Sequence, residues 1–85
     1  MVIVIKRAQI SDAKKRQLAL LSAQHAVLLM GDGVYLAPHL PELRCRCYIY
    51  SLDATVRGIR NYEQQLADDT MLVTLAHTHS PWVVW

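Results

Sequence analysis

An apolar run, Val27-Leu28-Leu29-Met30, breaks into Gly31-Asp32-Gly33, and a second apolar stretch, Val34-Tyr35-Leu36-Ala37, resumes at once. This is how a buried strand enters a tight loop whose backbone must turn sharply or come close to something. Two folds satisfy it. Asp-Gly between apolar runs is a hairpin signal, with Val34 to Ala37 as the returning strand. The same run also suits a parallel strand ending in a βα turn, at the carboxyl end where α/β sheets place ligands and partners.

The residues before the turn decide between them. Val2 to Ile5 is short, apolar and rich in β-branched residues, as a buried strand is. Ser11 suits a helix N-cap and Asp12 its first turn. Ala13, Leu18, Leu21 and Ser22 then keep one helical face, with Lys14, Lys15 and Gln17 opposite, and the helix is expected to end near Gln24-His25. Ala26 to Met30 is the second strand. Strand, amphipathic helix and strand within this span form a βαβ unit, whose strands are parallel and whose crossover is right-handed. Neither strand alternates with polar residues, which implies helices on both faces of the sheet. The hairpin is rejected.

Pro38 and Pro41 leave room only for a short helix or turn after Gly33. Arg44 to Ser51 alternates as a third strand, and Asp53 is expected to cap a short helix that Gly58 ends. Met71 to Leu75 reads locally as a strand. Leu72, Leu75, Ala76 and His79 nevertheless share a helical face behind Asp68-Asp69, which favours a helix from about Asp69 to His79. Gln64 to Ala67 is then a weak fourth strand. Trp82-Val83-Val84-Trp85 is an apolar tail that must pack on the sheet edge or on a partner.

Size and charge exclude several classes. Eighty-five residues form one domain, residues 1–85, with material for one core. No apolar stretch approaches the roughly 20 residues of a membrane span. Lys6 and Arg7 follow the first apolar run, the reverse of a signal peptide's charge order, so a cytoplasmic protein is expected. The net charge of +2 is too diffuse for a nucleic-acid stripe, which argues against direct nucleic-acid binding.

Cys45 and Cys47, one residue apart, suit a reducing compartment rather than a disulfide framework. On a strand they share a face, while Arg44 and Arg46 point the other way. A reactive thiol needs exposure and a positive neighbourhood; a buried cysteine is a small hydrophobe. Core packing is the expected role, with sulfur chemistry at either thiol as the alternative. His77-x-His79 cannot present both rings from one helix face, so no Cys-His metal site is expected. Gly31-Asp32-Gly33 lacks the spacing of a phosphate loop, and no nucleophile elbow occurs. Asp32 reads first as a turn-forming residue. No cofactor is implied.

Taken in order, these pieces resemble the DsrH/TusB family of bacterial sulfur-relay subunits, across nearly the whole chain. They are a strand and helix, then Leu-Leu-x-x-Asp-Gly-Val-Tyr (Leu28 to Tyr35), and a Tyr-x-Leu-like strand leading to Asp-x-x-x-Arg-Gly (Tyr48 to Gly58). A last helix carrying Leu72, Val73 and Leu75, and the final Trp85, complete the match. The resemblance implies a three-layer α/β/α sandwich with a mainly parallel sheet of about four to five strands. It also implies a non-catalytic place in a cytoplasmic persulfide-transfer complex. The partners would be two homologous subunits of the TusC/TusD (DsrF/DsrE) type, with self-association possible. The rival readings are a stand-alone sulfurtransferase using Cys45 or Cys47 and a homo-oligomeric interaction module that kept the fold and lost the relay.

Such complexes serve 2-thiolation of the tRNA wobble uridine or, in a sister branch, dissimilatory sulfur oxidation. In both branches the main sulfur-carrying cysteine belongs to a different subunit. Some family members carry a cysteine in the first helix; here Asp12 to Ser22 has none, which favours a structural role. The segment between Gly58 and the last helix is also shorter than the family pattern. The expected interface and loop residues are Asp32, Gly33, Tyr35, Leu36, Arg57, Trp82 and Trp85. For Arg57 two roles stand open: favouring a helix C-terminus, or pairing with a carboxylate across a subunit boundary.

Overall fold

The two apolar runs at the front of the chain form adjacent parallel strands, β1 (Val2–Ile5) and β2 (Ala26–Leu29), both buried along their length. The computed structural model describes residues 1–60, 62–79 and 81–85. Between the strands lies α1 (Asp12–Ala19), capped by the Ser11 hydroxyl, which accepts from the Lys14 N–H at 3.2 Å. The helix ends at Ala19, short of the expected Gln24-His25. Its last turn tightens, the Leu20 and Leu21 N–H groups bonding to the carbonyls of Gln17 and Leu18. Of the helix only Leu18 is buried, and Leu20 is 81% exposed. The apolar periodicity runs past the helix end, and Leu21 packs against the core from the turn.

After β2 the chain winds as a 3-10 helix through Gly31–His39. It then enters β3 (Arg46–Tyr50), α2 (Ser51–Val56), β4 (Gln65–Ala67), α3 (Asp69–Thr78) and β5 (Trp82–Val84). The weak fourth strand and the C-terminal helix are thus both present, and the apolar tail packs on the sheet edge. All four strand pairings are parallel, in the order β4-β3-β2-β1-β5.

This order fixes the layers. The chain steps from β1 to β4 in one direction, so right-handed crossovers put α1, the 3-10 helix and α2 on one face. The return from β4 to β5 crosses the whole sheet and places α3 on the other. The two core clusters follow this division. One joins Ile3, Ile5, Val27, Leu29 and Ile49 to Leu18, Val34 and Ala54. The other joins Val2, Val4, Ala26, Leu28 and Tyr48 to Leu75 of α3. The result is a three-layer α/β/α sandwich. Among the described residues no helix is long and apolar enough to cross a membrane.

Candidate functional site

The carboxyl end of the sheet is built around the glycine turn. Gly31 adopts φ +53°, and the Gly33 N–H donates to the Met30 carbonyl at 2.8 Å. That turn presses Gly33 against β1: a Cβ there would lie 1.9 Å from the Ile5 carbonyl oxygen. The close approach the sequence implied is therefore backbone on backbone, inside the chain.

Asp53 holds the turn from the neighbouring helix α2. It sits in the first turn of α2 rather than at the cap, which is occupied by Tyr50 without a side-chain bond. Its expected role as an N-cap is corrected: Oδ2 instead accepts from the Gly31 N–H at 2.7 Å. Arg57, four residues on, donates from Nη1 to Asp53 Oδ1 at 3.4 Å and from Nε to Asp32 Oδ1 at 3.2 Å. Asp32, Asp53 and Arg57 thus form one network linking the glycine turn to α2, and both carboxylate partners of Arg57 belong to its own chain. Beside it the Tyr50 hydroxyl donates to Asp69 Oδ1 at 2.5 Å, a bond that raises the phenol above its ordinary pKa. Asp53 was missed as a turn-holding residue because its partner is distant in sequence. The Asp53-x-x-x-Arg57 spacing, typical of a helical ion pair, was the available signal.

The cysteines lie at the opposite, amino end. Cys45 is buried just before β3, and Cys47, in β3, packs against the same core face. Both line an open cavity of about 910 Å³ between the loop from Ala37 to Leu43 and the segment Tyr62 to Gln65. Gln64 braces it, donating from Nε2 to the Ala37 carbonyl at 2.8 Å. Burial raises the Cys45 thiol, against a lowering by its backbone hydrogen bond. Burial and the neighbouring Cys45 push Cys47 up to about 12. The sheet separates both thiols from α3, which carries His77. Among the described residues no three His, Cys, Asp or Glu side chains are placed to hold a metal ion.

The remaining expected residues divide by exposure. Tyr35 is 43% exposed and lines a smaller cavity of about 490 Å³ with Lys15 and His39. Leu36, expected at an interface, is buried in the core, and Gly33 is buried too. Trp85 is half-buried against the core, with the Lys14 ammonium 4.7 Å over its ring. Trp82 remains 37% exposed on the outer strand.

A solution NMR structure of protein Tm0979 from Thermotoga maritima is similar in fold. The two share a TM-score of 0.75 at 20% sequence identity, over 91% of this chain and 92% of that one. At this identity the likeness shows the fold alone. No family model matches the chain, and no curated protein matches it.

Proposed function

We propose that this chain is a non-catalytic subunit of a cytoplasmic sulfur-relay complex, serving 2-thiolation of the tRNA wobble uridine. Its partners in this reading are two homologous α/β subunits of the TusC/TusD type, one of which carries the persulfide. The α/β/α fold with a parallel sheet is what the resemblance to DsrH/TusB sequences calls for. The observation that carries the non-catalytic role is the state of the thiols. A persulfide carrier attacks as a thiolate. With Cys47 held near 12 and Cys45 also raised, both are thiols at neutral pH. The Asp32–Asp53–Arg57 network gives the carboxyl end a fixed polar edge against which a partner subunit can be positioned.

A second reading is favoured by one observation: both cysteines line the same open cavity. In that reading the chain is itself a sulfurtransferase, with Cys45 or Cys47 as carrier.

The test uses the tagged chain expressed in its own host, with the wild type and Cys45→Ala/Cys47→Ala compared for tRNA 2-thiouridine. Co-purification of two small homologous subunits, with thiolation unchanged in the double variant, is the expected result. Loss of thiolation in a folded double variant would transfer the carrier role to this chain. A chain that purifies without such subunits, in a host whose deletion strain keeps its thiouridine, overturns the relay assignment.

A further inference from the structure

We infer that β5 is a homodimerisation edge, pairing antiparallel with β5 of a second copy of this chain about a two-fold axis at Val83. The inference rests on the backbone of the outer strand and is independent of the sulfur-relay reading.

The hydrogen bonds to β1 set which way each residue of the strand faces. The Val2 N–H donates to the Pro81 carbonyl, the Trp85 N–H to the Val4 carbonyl, and the Lys6 N–H to the Trp85 carbonyl. Residues 81, 83 and 85 therefore turn their backbone groups inward, in the alternation of a parallel ladder. Trp82 and Val84 turn theirs outward. β5 is terminal in the sheet, so among the described residues these two N–H and two C=O groups have no partner strand. Such a row is a template for another strand.

The second copy fits because the row is self-complementary. About an axis at Val83, Trp82 lies opposite Val84 of the other copy, and Val84 opposite its Trp82. Both residues present outward backbone groups, so each is a hydrogen-bonded pair and four bonds form. Their side chains lie on the α3 face, in register with Val2 and Val4. They are 37% and 60% exposed, so an aromatic ring meets a β-branched side chain on each side of the axis. No charged residue interrupts Pro81 to Trp85.

The other edge differs in what flanks it. β4 is followed at once by Asp68 and Asp69, which end the strand and open α3. Charged residues beside an edge disfavour further pairing, and β5 has none within residues 81–85. A contact through three residues per copy is smaller than the roughly 1,000 Å² of a stable interface. The pairing is accordingly reversible, shifting with concentration.

The test uses the purified chain alone, by sedimentation over a wide concentration range with amide hydrogen exchange at both extremes. Dimer formation is expected, with the Trp82 and Val84 amides gaining protection as it forms and the Val83 amide protected throughout. Val84→Pro removes an outward N–H that β1 does not use, a position an edge strand tolerates. It should weaken association about tenfold or more, by losing two bonds per dimer. Val84→Lys, which leaves the backbone intact, should weaken it as well. A chain monomeric at every concentration overturns the inference. So does a dimer in which the Trp82 and Val84 amides stay unprotected, or one that both variants leave unchanged.

Discussion

At the carboxyl end of the sheet, backbone and charge interlock. Gly33 lies against the Ile5 carbonyl, Asp53 accepts from Gly31, and Arg57 spans both carboxylates. At the amino end, two thiols line an open cavity and are kept neutral by burial. The first region has fixed polar groups; the second has a cavity of about 910 Å³ and a muted nucleophile pair. A parallel α/β sheet leads one to look for function at its carboxyl end. Here that end is occupied by the chain's own bracing, and the larger cavity lies at the other. In the proposed reading, the contrast separates a surface for positioning a partner from a place where the thiols are kept unreactive.

The contrast is broken most severely at Gly33. Gly33→Ala sets a methyl group where the Ile5 carbonyl already stands, and backbone on both sides must move. Overpacking of this kind, on two backbone segments at once, should destabilise by about 3 kcal/mol or more. Urea denaturation would measure it. A variant as stable as the wild type would mean that the turn after β2 yields freely, and the carboxyl end would lose its claim to rigidity.

The next effect probes the amino end. The Cys47 thiol is pushed up to about 12, above the ordinary value of 9.0 that it regains on unfolding. Between these values the unfolded chain has released the proton and the folded chain still holds it. Stability therefore falls as pH rises through about 9, and the loss levels off above the folded pKa. The decline should be on the order of 2 kcal/mol by pH 11. Cys47→Val, similar in size and without a proton to lose, should flatten much of the slope in denaturation midpoints between pH 8 and 11. An unchanged slope would mean that Cys47 is not held neutral, and would revive it as a sulfur carrier.

How much of this contrast the sequence disclosed depended on the range of the interactions. Local patterns were legible: the unalternated runs at Val2 and Ala26, the cap at Ser11, and the Asp68-Asp69 start of α3. The glycine turn was legible too, because only a residue without a side chain suits both a positive φ and a backbone contact. Leu21 and Ser22 misled as to the helix end, since their spacing extends the helical face; the chain turns tightly after Ala19, and Leu21 still packs against the core. Leu36 follows an exposed Tyr35 and still enters the core, because the 3-10 helix turns it inward. The bond from Asp53 to Gly31 joins residues of different elements, and no periodicity encodes such a pair. The placement of both cysteines on one face followed from strand alternation alone.

Within the carboxyl end, Asp53 and Asp32 can be set against each other. Asp53→Ala leaves the Gly31 N–H without its acceptor in a partly buried position and frees one arm of Arg57. A loss of about 1–2 kcal/mol is expected from the denaturation midpoint. Faster amide exchange at Gly31 would locate the damage. If exchange there is unchanged, the turn is held by its own backbone and α2 merely rests beside it.

Asp32→Asn should have the smallest effect of all. Its side chain is 63% exposed, and its one ion-pair partner among the described residues, the Arg57 guanidinium, keeps Asp53 when Asp32 is neutralised. An ion pair in that setting is worth under about 0.5 kcal/mol, and salt screens it further. The midpoint should therefore barely move at low salt and not at all at high salt. The value of the measurement lies in that near-zero. A residue that contributes so little to its own fold, yet holds a carboxylate outward beside a fixed arginine, would be free to meet the partner subunit of the proposed complex. A loss comparable to that of Asp53→Ala would instead make Asp32 part of the bracing, leaving Arg57 without a polar face to offer.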